Sequence, residues 1–299
     1  MKKLQLILIF TVNISCFTFA PLNNEDNTIR LMRRLIFFLS LLFTVIYTNA
    51  QTEKNHLFYG MYLQWGYNAE AYTHSNIHFK MSNGDNFTLH HAKAHDKGDY
   101  DDIISEPGQI SIPQYNYRIG FYLNRNFTKG IEINFDHAKY VVTDGQTVHV
   151  TGTIDKLHVD GDSVLNPETF LHFEHTDGAN WLHINYFGQK TLFKTKSKSR
   201  DLLTLVYKAG AGINIPRTDF TYHGDRLNND FHVAGYNIGI EGGFRLFMLK
   251  NLFLETTAKT GYVRYIDALA NTTTAKGNRA SQGFSYIEGI ATIGYQFKF

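Results

Sequence analysis

From Gln51 to the C-terminus, apolar and polar residues alternate with a period of two in eight separate segments. In the first, Leu57, Tyr59, Met61, Leu63, Trp65 and Tyr67 form one face, and Phe58, Gly60, Tyr62, Gln64 and Gly66 the other. The second sets Tyr115, Tyr117, Ile119, Phe121 and Leu123 against Asn116, Arg118 and Gly120. The third sets Ile131, Ile133 and Phe135 against Glu132, Asn134 and Asp136. The remaining five begin near Leu182, Leu205, Tyr236, Leu252 and Ile287. A period of two is the signature of a β-strand, because successive side chains leave opposite faces.

The polarity of the two faces decides which kind of sheet this is. A soluble sandwich packs its apolar face inward. A membrane barrel turns that face to lipid and keeps small and polar residues inside. Here the second face carries charges and glycines in segment after segment. Eight is an even number, as in bacterial single-chain barrels. Connection lengths also alternate: 125–129, 194–201 and 249–251 are short, whereas 69–113, 144–178, 217–230 and 267–281 are long. Four long loops and three short turns are what eight strands with both termini in the periplasm require. The expected fold is therefore all-β: an eight-stranded antiparallel up-and-down transmembrane β-barrel with long extracellular loops. After Gln51 no apolar run reaches the length of a membrane helix.

Two apolar runs precede the barrel. The second, Leu35 to Tyr47, follows Arg33 and Arg34 and is shorter than the ~20 residues a spanning helix needs. A basic start, a short apolar middle and the small Ala50 make a signal peptide cleaved at Ala50/Gln51. Met32 then reads as the start codon. Residues 1–31 become an upstream extension or misassigned start, 32–50 the signal peptide and 51–299 the barrel. Lipidation at Cys16 is disfavoured, because Asn13 stands where a lipoprotein signal wants Leu or Val.

The last strand ends Tyr295-Gln296-Phe297-Lys298-Phe299, with aromatics at alternate positions up to the terminus. That ending resembles the signal by which barrel-insertion machinery recognises its clients. With the eight-segment rhythm, residues 51–299 resemble the small outer-membrane barrels of the OmpA/OmpX type in Gram-negative bacteria. The resemblance implies residence in the outer membrane, in contact with lipid and lipopolysaccharide. It names no activity, since such a barrel hosts adhesins, enzymes and structural proteins alike.

Composition adds three constraints. The formal net charge of +2 offers no basic surface for nucleic acid. With Cys16 the only cysteine, the mature chain has neither disulfide nor thiolate chemistry. Aromatic residues reach 15%, with 18 Tyr and 24 Phe, which suits broad strand surfaces.

An eight-stranded barrel is just wide enough for side chains to fill it. The interior phase carries Glu132, Asp136, Glu241, Glu255 and Glu288, and also Arg118, Lys208, Arg245, Lys259 and Lys298. Buried charges persist when paired, so the expectation is a neutralised plug and not a wide pore. Function is expected in the outer loops. These hold His74, His78, His90, His91 and His95, then His149, His158, His172 and His175, among many acids. In an extended strand His172 and Glu174 share a face, as do His175 and Asp177, which makes these four the candidate metal ligands. Their spacing matches no tight metal motif, and no cofactor is expected. Residues 77–81 with 86–90, 147–154 and 169–175 read as further strands rising beyond the membrane.

The leading reading is a non-enzymatic outer-membrane protein whose loops bind an extracellular protein or surface ligand, or stabilise the envelope. One alternative is a lipid-modifying enzyme of the lipid A deacylase or acyltransferase type. Small-barrel deacylases pair a His and a Ser two residues apart on a strand. No His-x-Ser occurs here; the nearest are His74-Ser75 and His149-Val150-Thr151. His137, next to Asp136, has no evident Ser partner. The other alternative is a narrow channel.

Overall fold

The computed structural model describes residues 57–98, 114–196 and 200–299. The expected upstream extension and signal peptide, residues 1–50, lie outside the described residues, as does Cys16.

The described strands are β1 (Gly60–Tyr72), β2 (Ser75–Lys80), β3 (Asn86–Ala92), β4 (Ala94–His95), β5 (Tyr115–Tyr122), β6 (Lys129–Asp136), β7 (Tyr140–Val142), β8 (Thr147–Ile154) and β9 (Leu157–Val164). They continue with β10 (Leu171–His175), β11 (Trp181–Lys194), β12 (Asp201–Asn214), β13 (Asp219–Tyr222), β14 (Asp225–Asn228), β15 (Gly235–Phe247), β16 (Leu252–Leu269) and β17 (Arg279–Lys298). Antiparallel pairing runs β1-β5-β6-β11-β12-β15-β16-β17, and β17 returns to β1 along thirteen residue pairs from Gly60↔Lys298 to Tyr72↔Tyr286. The eight strands thus close on themselves and leave no free edge in the ring. They are the eight segments of the sequence pattern.

The faces fall as that pattern requires. Ile184, Tyr207, Ile238, Ile240, Phe244 and Ile287 are exposed on the outside. Arg118, Glu132, Asp136, Lys208, Arg245 and Glu288 are buried inside. A surface of aliphatic and aromatic side chains around a charged interior is stable only in hydrocarbon, so the ring is a transmembrane β-barrel. Interior glycine also has a steric role: a Cβ on Gly120 would lie 2.0 Å from the Tyr62 ring, which folds down across it.

Three strands run further than the alternation predicts. β1 reaches Tyr72, β16 reaches Leu269, and β17 starts at Arg279. Above the polar layer the interior phase becomes apolar, with Val263, Tyr265, Phe284 and Tyr286 all buried. A lipid-barrel pattern ends where that inversion starts, although the strands continue.

The long loops use these extensions. Where β1 leaves β17, β2 takes its place, Gln282 pairing with Ile77 and Arg279 with Lys80. From there β3, β8 and β9 extend the sheet outward. A second sheet, β14-β13-β10-β7-β4, faces it. Between them lies an apolar core in which the Phe79 ring centroid is 5.3 Å from Phe87, 5.4 Å from Phe173 and 5.5 Å from Phe220. Tight turns close the hairpins. Asp155 and Lys156 both have positive φ between β8 and β9, as do His223 and Gly224 between β13 and β14, which is the twist a two-residue hairpin favours. Asp85 ties the tips together by accepting from the Asp155 amide at 2.8 Å and the Tyr222 hydroxyl at 2.8 Å. The expected strands at 77–81, 86–90, 147–154 and 169–175 are all present; β4, β7, β9, β13, β14 and the cross-loop pairing are additional.

Candidate functional site

Inside the barrel the charged side chains form one network. Lys208 Nζ lies 2.9 Å from Glu132, 2.9 Å from Glu255 and 3.2 Å from Glu241. Arg118 donates to both Glu241 oxygens at 2.8 Å and to Glu132 at 3.3 Å. Arg245 holds Glu255 at 2.7 Å, and the Tyr62 hydroxyl donates to Glu132 at 2.5 Å. Nearer the outer mouth, Lys259 donates to Asp136 and lies 3.6 Å from Glu288. Each of the nine residues Arg118, Glu132, Asp136, Lys208, Glu241, Arg245, Glu255, Lys259 and Glu288 is buried and takes part in an ion pair.

Two interior assignments change. Lys298 is exposed at the rim, its ammonium 5.0 Å from the Phe127 ring, because its strand has already passed the polar layer. Glu70 is an additional buried acid, directly opposite Glu288, accepting from Asn68 at 2.5 Å and from Gln114. It was missed because the apolar phase of the first segment fades after Tyr67 into Ala69 and Ala71. The alternation of Asn68 and Glu70 on the inner phase was its available signal.

Both ends of the network are covered. On the side of the short turns, Tyr62, Tyr122, Phe187, Phe247 and Phe253 form a buried aromatic layer. The Arg245 guanidinium carbon sits 4.1 Å above the Phe253 ring and 4.5 Å above that of Tyr62, a cation–π seal between charged and apolar layers. On the loop side the apolar core of the cap begins, with Trp181 4.6 Å from Tyr286.

The cap carries the histidines. Of the four expected metal ligands, β10 puts His172 and Glu174 on its outer face. His172 Nδ1 meets Asp144 at 2.8 Å and Nε2 meets Glu174 at 3.3 Å. Burial alone would lower the His172 pKa, but its hydrogen bonds to Glu174 and Asp144, with their charges, raise it to about 9. Burial would raise Glu174; His172 and the Thr176 hydroxyl bring it down to about 2. His175 turns the other way, into the aromatic core beside Phe173 and Tyr265, where burial lowers its pKa to about 3. Asp177 pairs with Arg217 at 2.9 Å. The four therefore occupy three different environments. Among the described residues no group of three or more His, Cys, Asp or Glu encloses a common point as a preformed metal cage would.

The catalytic near-misses have structural partners. His137 stacks on Tyr115 at 4.6 Å and bonds Asn180 at 2.8 Å. Ser75 bonds Tyr140 and Gln282. Thr151 bonds His90.

Short turns at one end, a folded cap at the other, an apolar exterior and an ion-paired interior are the construction of the small outer-membrane β-barrels. No protein-family model matches the chain, and no curated protein matches its sequence. In structure it is similar to Neisserial surface protein A, at 10% identity over 80% of this chain and 97% of that one, with a TM-score of 0.32. It is also similar to the outer membrane protein OprG of Pseudomonas aeruginosa, at 12% identity over 81% and 98%, TM-score 0.36. A third similar structure is Ail, the attachment invasion locus protein of Yersinia pestis, in complex with the heparin analogue sucrose octasulfate, at 9% identity over 80% and 99%, TM-score 0.32.

Proposed function

We propose that this chain is an outer-membrane protein of a Gram-negative envelope that acts without catalysis, by presenting its cap to an extracellular protein or other surface ligand. On this reading it is exported with cleavage of a signal peptide near Ala50, placed in the membrane by the barrel-insertion machinery, and surrounded by outer-membrane lipid and lipopolysaccharide. The observation that carries the reading is the cap. Four loops of a purely structural barrel need only close; here three of them carry strands that extend the barrel sheet and build a second sheet facing it, over an apolar core shared with the upper barrel strands. The outer strands β9 and β14 each pair on one side only among the described residues, and such edges can accept an added strand.

The enzymatic alternative has its best candidate in Asp144–His172. A general base needs a free nitrogen near its neutral form at working pH. His172 has carboxylates on both nitrogens and a pKa of about 9. The channel alternative has to pass the ion pairs, the aromatic layer and the cap core. Envelope stabilisation remains as the role of the barrel alone.

The test compares cells carrying the full protein with cells carrying a variant whose loops are cut to short turns. Adhesion to immobilised extracellular proteins and glycans should fall to background with the cap removed, while membrane integrity and the lipid A mass profile stay the same. Equal adhesion by both strains refutes the binding role. A changed lipid A profile supports the enzyme instead.

A further inference from the structure

The short-turn end of the barrel is basic. Among the described residues, the three short turns carry Arg125, Lys194, Lys196, Arg200 and Lys250 against one acidic side chain, Asp201. Two further lysines stand beside these turns on the outer face of the wall. Lys129 opens β6 on the phase of the exposed Ile131 and Ile133. Lys190 continues the phase of the exposed Ile184 and Tyr186 along β11.

Register brings the two lysines to one spot. Lys129 is directly opposite Gly188, and Lys190 lies two residues further along the same face of β11. From the other side, β12 sets Tyr207 opposite Gly188. Gly188 has no side chain, and the Tyr207 ring lies across the place one would fill; a Cβ there would collide with both the ring and its hydroxyl. The phenol oxygen is thereby carried over β11, next to the two lysines. Neither ammonium has an ion-pair or hydrogen-bond partner among the described residues.

Apolar side chains flank the spot on both sides. Ile131 and Tyr186 lie toward the middle of the barrel. Toward the turn, a β-bulge between Thr191 and Phe193 exposes two apolar residues in succession, Leu192 and Phe193. Phe193 pairs with Leu203, on the outward phase of Leu205 and Tyr207. Hydrocarbon offers an ammonium no partner, so a lysine on a lipid-facing wall sends its head to the headgroup layer. Two such heads beside a hydroxyl donor suit one anion whose several oxygens can each accept a hydrogen bond, as a phosphate does.

We propose that Lys129, Lys190 and the Tyr207 hydroxyl bind the phosphate of an anionic phospholipid in the leaflet on the short-turn side, with its acyl chains along Ile131 and Tyr186. A polymer beneath the membrane would meet the tips of the turns. These donors face sideways between apolar rows, where a lipid reaches. The basic turns add a field that favours anionic over zwitterionic headgroups. The inference rests on the transmembrane reading of the barrel and is independent of the adhesion reading of the cap.

The test uses the full barrel refolded in detergent. Heat-modifiable gel mobility verifies the fold and separates failure of the site from failure of the barrel reading. Phosphatidylglycerol and phosphatidylcholine are titrated in, and bound lipid is counted by native mass spectrometry. The parent should retain one phosphatidylglycerol per chain in preference to phosphatidylcholine. Lys129→Gln and Lys190→Gln should each weaken retention by roughly fivefold, the increment of one basic side chain at an anionic lipid surface. Tyr207→Phe should weaken it less. Lys298→Gln, at the rim, and Lys250→Gln, in another turn, should bind as the parent does. Equal retention of the two lipids overturns the proposal, as does parental affinity in the folded Lys129→Gln/Lys190→Gln double variant. An equal loss in Lys298→Gln would make the effect one of general charge and overturn it too. Displacement of the lipid by inorganic phosphate would assign the site to the free anion instead, and binding of soluble cell-wall fragments lost in the same variants would assign it to a polymer; either result overturns the lipid. All three side chains are exposed on the outer face, so the substitutions leave the barrel interior intact.

Discussion

Replacing Lys208 by Met tests whether the ion network holds the barrel together. Met keeps the apolar stem of the side chain and removes the ammonium. Three buried carboxylates lie within 3.2 Å of that ammonium: Glu132, Glu255 and Glu241. Each keeps one guanidinium, Arg118 for Glu132 and Glu241, and Arg245 for Glu255. Three acids would then share two cations, leaving one negative charge uncompensated. Breaking a buried ion pair from one side costs about 3–5 kcal/mol, a folded-to-unfolded ratio lower by roughly a hundred- to several-thousand-fold. The assay is urea unfolding of the refolded barrel, followed by the gel shift between heated and unheated samples. The double variant Lys208→Met with Glu255→Gln removes one charge of each sign and should recover part of the loss. Lys298→Met, at the exposed rim, is the control and should change little. A Lys208→Met barrel within about 1 kcal/mol of the parent, with no recovery in the double variant, would mean that the interior is screened and the pairs are incidental.

Three further outcomes follow from the same geometry. Ile240→Lys places a charge on the exposed outer face of β15 and should cost about 2–4 kcal/mol in bilayers, the penalty for a lysine at mid-membrane; a neutral result would contradict the lipid-facing assignment. Phe173→Ala empties the centre of the cap core at a cost of about 3–5 kcal/mol, so protease should cut the loops while the heat-modifiable barrel persists; loss of both together would show that cap and barrel fold as one unit. Cap stability should depend on pH in two limbs. His172, raised to about 9, stabilises the fold fully below its ordinary value near 6.5, and that contribution disappears as pH rises through 9. His175, lowered to about 3, stabilises above 6.5 and loses its contribution as pH falls toward 3. In limited proteolysis across pH, His172→Gln should abolish the alkaline limb and His175→Leu should weaken the acid limb, to which Glu174, lowered to about 2, also contributes; limbs unchanged in both variants would remove the assignment.

The barrel was legible because lipid imposes one rule on every strand: apolar outward, polar inward, for as long as the strand is in the membrane. That rule is local, so Arg118, Glu132, Lys208 and Glu255 could be assigned to the interior from their phase alone. Pairing within the interior is not local. Arg118 and Glu241 are 123 residues apart, and only the closure of β17 on β1 brings their walls together. Lys298 shows the limit of phase, which says which way a side chain points but not whether the strand is still inside the polar layer.

Of the cap, sequence alone determined that strands exist in the loops, since Thr147–Ile154 and Asn86–Ala92 alternate like any strand. Tertiary structure decided which strands pair and which face is covered. His172 and His175 look equivalent in sequence, three residues apart with an acid two positions after each. One became a charged clasp and the other a buried neutral ring, because β10 has one face on the core and one toward Asp144. Likewise His90, His149 and Asp162, far apart in the chain, came into one cross-strand row through the β3–β8–β9 ladder. Alternation depends on each residue's own surroundings and so is written along the chain. A site depends on distances between segments, and those are set only when the loops fold against one another.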